Sequence, residues 1–183
     1  MKNTGRTLLC LLVALVLVLG GISWGARKGW QAEAAQLQAQ YMAEGGLKNM
    51  LELRAADASN LLRVAGRYMG TQDAPYAAVA SARDTLKSES ASLPEKCRAN
   101  QSLTQGVNDL AQALMPIPAF QASVRDQNYL TSLREALLSY NETAVAQSYN
   151  EAAMDYNQRK HESFSGLAAG LLGVDDAPLF AEP

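Results

Sequence analysis

The sequence predicts an all-α protein, an N-terminal transmembrane helix followed by an extended antiparallel four-helix bundle. Three observations predict it. The 183 residues are rich in Ala, Leu, Gln, Ser and Glu, and beyond the N-terminus poor in Phe, Val and Ile, which favours helix over sheet. An uncharged apolar run, Leu8 to Trp24, lies between Lys2 and Arg6 on one side and Arg27-Lys28 on the other. Near the far end, Tyr149-Asn150 and Tyr156-Asn157 stand seven residues apart. Seven residues make almost two helical turns, so both pairs share one face, and that face requires a neighbour.

The elements follow in order. Leu8 to Trp24, extended to Ala26, approaches the roughly 20 apolar residues needed to cross a bilayer, with Trp24 at the interface and Arg27-Lys28 as a charged stop. The rival reading is a cleaved signal peptide with Gly21-x-Ser23 or Ser23-x-Gly25 as its cleavage site. The retained anchor is preferred because the run is long for a signal and no clean A-x-A follows it. From Arg27 to Met69 one long helix is expected. Its stripe runs through Trp30, Ala34, Leu37 and Tyr41, then Leu47, Met50/Leu51, Ala55, Ala58, Leu61/Leu62, Ala65 and Tyr68/Met69. Gly45-Gly46 is its weak point, each glycine costing about 1 kcal/mol against Ala. Residues 27–46 thus read as a juxtamembrane stalk and 47–183 as the bundle with its tail packed back upon it.

Gly70, Asp73 and Pro75 supply a stop, a cap and a first-turn proline. A second helix continues to Glu89 with Tyr76, Val79, Ala82/Arg83 and Leu86 as its stripe. Ser88 to Asn100 is polar, contains Pro94 and reads as a loop. The third helix, Gln101 to Met115, presents Leu103, Val107, Leu110/Ala111 and Leu114 before Pro116 and Pro118 end it. The fourth, Arg125 to Ser163, places Leu130, Leu133, Leu137, Ala144, Ser148 and Ala152 inward. Leu171, Leu172, Leu179 and Phe180 are expected to fill grooves of the bundle.

Charge and side-chain chemistry narrow the function classes. Beyond Trp24, 14 Lys/Arg face 18 Asp/Glu, a net of about −4, where a nucleic-acid binder gathers a basic patch. Cys10 and Cys97 make no expected disulfide, and no Cys or His stands at metal-ligand spacing. His161, flanked by Lys160 and Glu162, reads as solvated. Asp155, Asp175 and Asp176 do not follow a calcium loop, and Gly166, Gly170 and Gly173 match no phosphate or dinucleotide loop. No catalytic, cofactor-binding or metal-binding residue is therefore expected. The Tyr-Asn pairs read as a packed face or as a peptide groove, the former preferred because spacing alone explains it. Arg54 and Asp57, three apart, either pair along one helix or bond across to the Tyr-Asn face. Asp57 is also the one candidate for an enzyme reading, unaccompanied by His, Cys or a second carboxylate.

The C-terminal block of Tyr149-Asn150, Tyr156-Asn157, Phe164, Ala169, Gly173 and Phe180 resembles that of the LemA family of bacterial membrane-anchored helical proteins. So does Leu53-Arg54-Ala55-Ala56-Asp57-Ala58-Ser59-Asn60-Leu61-Leu62 with Gly66-x-Tyr68 and Val79-x-x-Ala82-Arg83. The chain departs from the pattern at Ser59 and Ser165, where the family carries Pro, and at Val174, where it carries an aromatic. The resemblance implies one N-terminal anchor in the bacterial inner membrane and a helical bundle, here expected on the periplasmic side, without established catalytic residues. The expected interaction seam comprises Tyr149, Asn150, Tyr156, Asn157, Arg54, Asp57, Asn60 and Tyr68. The expected partners are membrane lipid along Leu8 to Trp24, proteins in or at the membrane and a second copy of the chain, with no nucleic acid. The expected role is that of a non-enzymatic scaffold, or, if the leader is cleaved, a secreted adaptor.

Overall fold

A computed structural model describes residues 2–180, without the side chains of residues 2–12, 15 and 16. The described residues form helices and no strand: α1 (Lys2–Met42), α2 (Leu47–Ala65), α3 (Ala74–Lys87), α4 (Leu93–Leu114), α5 (Pro118–Gln121), α6 (Val124–Ser139), a 3-10 turn (Tyr140–Glu142), α7 (Ala144–Glu162) and α8 (Phe164–Leu171). Among the described residues no helix is long and apolar enough to cross a membrane. The side chains of the first part of the Leu8–Trp24 run lie outside them. The chain divides into two compact units, Met1–Leu37 with Met154–Ala177, and Gln38–Ala153 with Pro178–Pro183.

In the larger unit α2 packs on α3, α3 on α4, and α6 on both α2 and α4. Short loops make the consecutive helices antiparallel neighbours. The predicted stripes form its core: Leu47, Leu51, Ala55, Ala58, Leu61, Leu62 and Ala65 on α2, Val79, Ala82 and Leu86 on α3, and Leu103, Val107, Leu110 and Leu114 on α4 are all buried. Each large aliphatic contributes roughly 1.5–3 kcal/mol by leaving water. Tyr68 and Phe120 close one end edge to face, their centroids 5.2 Å apart.

Four expectations are corrected. The long helix from Arg27 is not continuous but breaks at its expected weak point, residues 43–46, where Gly45 takes φ +71° and a Cβ on Gly46 would lie 2.8 Å from the Gln40 carbonyl oxygen. Only glycine fits both demands. The expected loop at Ser88–Asn100 is mostly helix, because Pro94 occupies the first turn of α4 and Ser92 and Glu95 form a capping box. The fourth helix is interrupted at Tyr140–Thr143. Thr143 is extended and its hydroxyl accepts from the Ala146 N–H, restarting the helix in a new phase. Ala146, Tyr149 and Ala153 consequently face inward, and Ala144 and Ser148 are exposed. In the tail, Phe180 is buried as expected and Leu179 half-buried, whereas Leu171 and Leu172 are exposed.

The smaller unit is built on an aromatic contact. Trp30 meets Tyr156 edge to face at 5.4 Å, and Arg159 lies over the Trp30 ring while pairing with Glu33 and Asp155. Ser163 caps α8, and the chain turns so tightly there that a Cβ on Gly166 would sit 2.1 Å from the Lys160 carbonyl oxygen. Lys160, whose side chain is buried, donates to Asp176 at 2.7 Å, and His161 reaches the other oxygen of that carboxylate at 2.9 Å. These two partners hold the Asp176 carboxyl below the usual carboxylate range, Lys160 most strongly.

Candidate functional site

The larger unit encloses an arginine. Arg54 belongs to the inward stripe of α2 and is fully buried. Its neighbours along the stripe are apolar, so its guanidinium depends on polar groups from other elements. Asn100 and Thr104, four residues apart on one face of α4, and Asn141 in the 3-10 turn provide them. One terminal nitrogen donates to Asn100 Oδ1 at 2.6 Å and to Asn141 Oδ1, and the other donates to Thr104 Oγ1. The acceptors are themselves linked: Asn141 donates to Thr104 Oγ1 at 3.1 Å and Asn100 to Asn141 Oδ1 at 3.2 Å.

Every one of these acceptors is neutral. Among the described residues no carboxylate pairs with Arg54, and its Nε has no hydrogen-bond partner. Burial lowers its pKa to about 10, which leaves it charged at neutral pH. A buried cation held by neutral dipoles fixes their orientations, since each acceptor must aim its oxygen inward.

Asp57 does not bond Arg54. It accepts the Tyr140 hydroxyl at 3.1 Å. Burial raises the Tyr140 pKa, and the adjacent carboxylate raises it further. Arg54 and Asp57 thus both bond across to a Tyr-Asn pair, Tyr140-Asn141, but not to either of the two pairs singled out in the sequence. Tyr68 donates to Asp126, which also receives Arg67 at 2.9 Å and 3.0 Å. The Tyr68 bond is the main reason that the Asp126 pKa is depressed. Asn60 is half-buried and stands apart from these networks.

Three of the four remaining predicted residues grip the tail. Tyr149 donates to the Pro178 carbonyl at 3.1 Å, and Asn150 Oδ1 accepts the Phe180 N–H at 2.7 Å. Burial pushes the Tyr149 hydroxyl well above the usual tyrosine range. In the smaller unit Asn157 exchanges two bonds with Ala177, donating at 2.9 Å and accepting at 2.7 Å. Tyr156 is equally buried, but its hydroxyl has no partner.

Beside the Arg54 network runs an open groove of about 950 Å³ between α4 and the start of α7. Its lining includes Arg98, Gln101, Ser102, Thr104, Gln105, Asn108, Asn141, Glu142, Gln147 and Asn150. Thr104 and Asn141 belong to both the groove and the network. Amides and hydroxyls dominate this wall, a chemistry that donates and accepts hydrogen bonds. Asn100, Thr104, Asn141 and Asp126 carry much of this geometry and were not singled out in the sequence. The legible signal was Tyr140-Asn141, a third Tyr-Asn pair upstream of the two recognised.

No curated protein and no solved structure matches the chain. The family model of the LemA family matches residues 43–183, starting at the break before α2 and taking in the Arg54 network, the groove and both tail contacts. The chain is a member of the LemA family.

Proposed function

We propose that this protein is a membrane-anchored, non-enzymatic interaction protein of the bacterial envelope that binds partner proteins at the membrane surface. The groove between α4 and α7 is the observation that carries the reading. Its rim of Gln and Asn side chains suits the alternating donors and acceptors of a polypeptide backbone. Arg54 behind it holds Asn141 and Thr104 in fixed orientations, so the wall is set before a partner arrives. Asp57 spends its carboxylate on Tyr140 and does not line the groove, which gives the enzyme reading nothing further.

The anchor rests on the Leu8–Trp24 run, and a tether of that kind concentrates partners of the same membrane. Inner membrane, with the bundle on the periplasmic side, is the placement proposed. A photo-crosslinking amino acid at Gln105, an exposed groove position, should yield protein adducts in intact membranes, and one at the exposed Lys87 of α3 should not. Identical adducts from both positions, or none from Gln105, reject the groove. Carbonate extraction with protease access in spheroplasts tests anchor and side. A mature chain beginning near Trp24 indicates the cleaved, secreted alternative.

A further inference from the structure

Within the larger unit, the end of the chain is held as a bound peptide is held. Tyr149 donates to the Pro178 carbonyl, Gln101 to the Leu179 carbonyl at 3.4 Å and Asn100 to the Phe180 carbonyl at 2.8 Å. Asn150 accepts the Phe180 N–H. Four side chains, two on α4 and two on α7, thus read the main chain of three consecutive residues. One tail side chain adds selectivity, since Phe180 is 0% exposed. Extended peptides are recognised in this way, with main-chain bonds supplying affinity and a pocket supplying specificity. Asn100 is oriented for the task by Arg54, which occupies its oxygen and leaves its NH2 for the tail and for Asn141. After Gly173, which takes φ +81°, residues 174–179 have no regular secondary structure.

We propose that Asn100, Gln101, Tyr149 and Asn150, with the Phe180 pocket, form an exchangeable peptide site, filled in cis by Pro178–Phe180 and in trans by the same segment of a second copy. The inference rests on the reading of the chain as a protein-binding module and names one partner for it. Recognition of the tail is indifferent to which copy supplies it, because the contacts address backbone and one ring. Exchange of an identical segment also creates no new surface chemistry. In dilute solution the cis tail wins, its effective concentration being on the order of millimolar. Crowding of copies, or loss of the cis tail, shifts occupancy to the trans form.

The test uses the full chain in detergent micelles carrying F180A, titrated with a fluorescein-labelled peptide, Ala-Pro-Leu-Phe-Ala-Glu-Pro. Binding should saturate and be at least tenfold tighter than to wild type, whose site is already filled. It should vanish when the peptide's Phe is replaced by Ala, and N150A in the same chain should weaken it about tenfold. A tagged F180A chain should also retain an untagged N150A chain, whose tail is intact and whose own site is weakened, but not an untagged F180A/N150A chain. Absence of peptide binding by an F180A chain of wild-type helical content overturns the proposal. Equal binding of the Phe and Ala peptides does so too, as does retention indifferent to the untagged tail. Should F180A lose helical content, F180L replaces it under the same outcomes. Gln105 adducts to other proteins, obtained without peptide binding, defeat tail exchange and leave the groove reading intact.

Discussion

Replacing Arg54 with Ala removes the group on which the larger unit's polar interior converges. Three bonds from a charged donor are lost, to Asn100, Asn141 and Thr104, each worth roughly 1.5–3 kcal/mol. Against this, the unfolded chain no longer loses hydration of a guanidinium on folding, a gain of several kcal/mol. The opposing terms leave a net destabilisation of about 2–4 kcal/mol, most of it from acceptors stranded in the interior. Arg54→Lys should cost a similar amount, because a single ammonium cannot span acceptors held by two guanidinium nitrogens. The triple variant R54M/T104V/N141L should recover about half of the loss, since it removes two of the three stranded acceptors together with the charge. Urea denaturation of the detergent-solubilised chain, followed by far-ultraviolet circular dichroism, measures all three. A loss below about 0.5 kcal/mol for Arg54→Ala, or a triple variant no better than Arg54→Met alone, refutes the reasoning.

Two tyrosines that look alike in sequence should behave differently: Tyr149→Phe forfeits its bond to Pro178 and costs about 1 kcal/mol, while Tyr156→Phe is neutral or slightly stabilising, both read from the urea midpoint. Burial pushes the Cys97 thiol up to about 12, so in a Cys10→Ser chain it should resist Ellman's reagent at pH 8 until urea unfolds the larger unit. Asp126 has a depressed folded-state pKa, so its contribution is complete above the unfolded value of about 3.9 and is lost as pH falls through the lower folded value. Asp126→Asn should therefore flatten the acid limb of the urea midpoint below about pH 4.

Helix stripes were legible because apolar residues at 3/4 spacing have one way to leave water. The Leu61/Leu62 and Leu103, Val107, Leu110 runs are buried as their spacing dictates. Phases were legible only up to an interruption. Beyond Thr143 the expected inward set shifts from Ala144 and Ser148 to Ala146 and Tyr149, because a side-chain cap, invisible to periodicity, resets the helix. Pro94 misled for a related reason, since proline halts a helix interior but suits a first turn, and the Ser92–Glu95 capping box decides between them.

By itself, the sequence determined the all-α class, the core stripes, the apolar N-terminal run and the shared buried face of Tyr149 and Tyr156, since each is a matter of local spacing and composition. Only the tertiary structure decided what the polar residues meet. Arg54 finds Asn100, Thr104 and Asn141, separated from it by 46, 50 and 87 positions, and Asn150 finds the Phe180 N–H 30 positions on. Apolar burial is satisfied by any neighbouring surface, so it can be read locally. A hydrogen bond needs one particular atom at one distance and angle, and the choice of that atom belongs to the packing of distant segments.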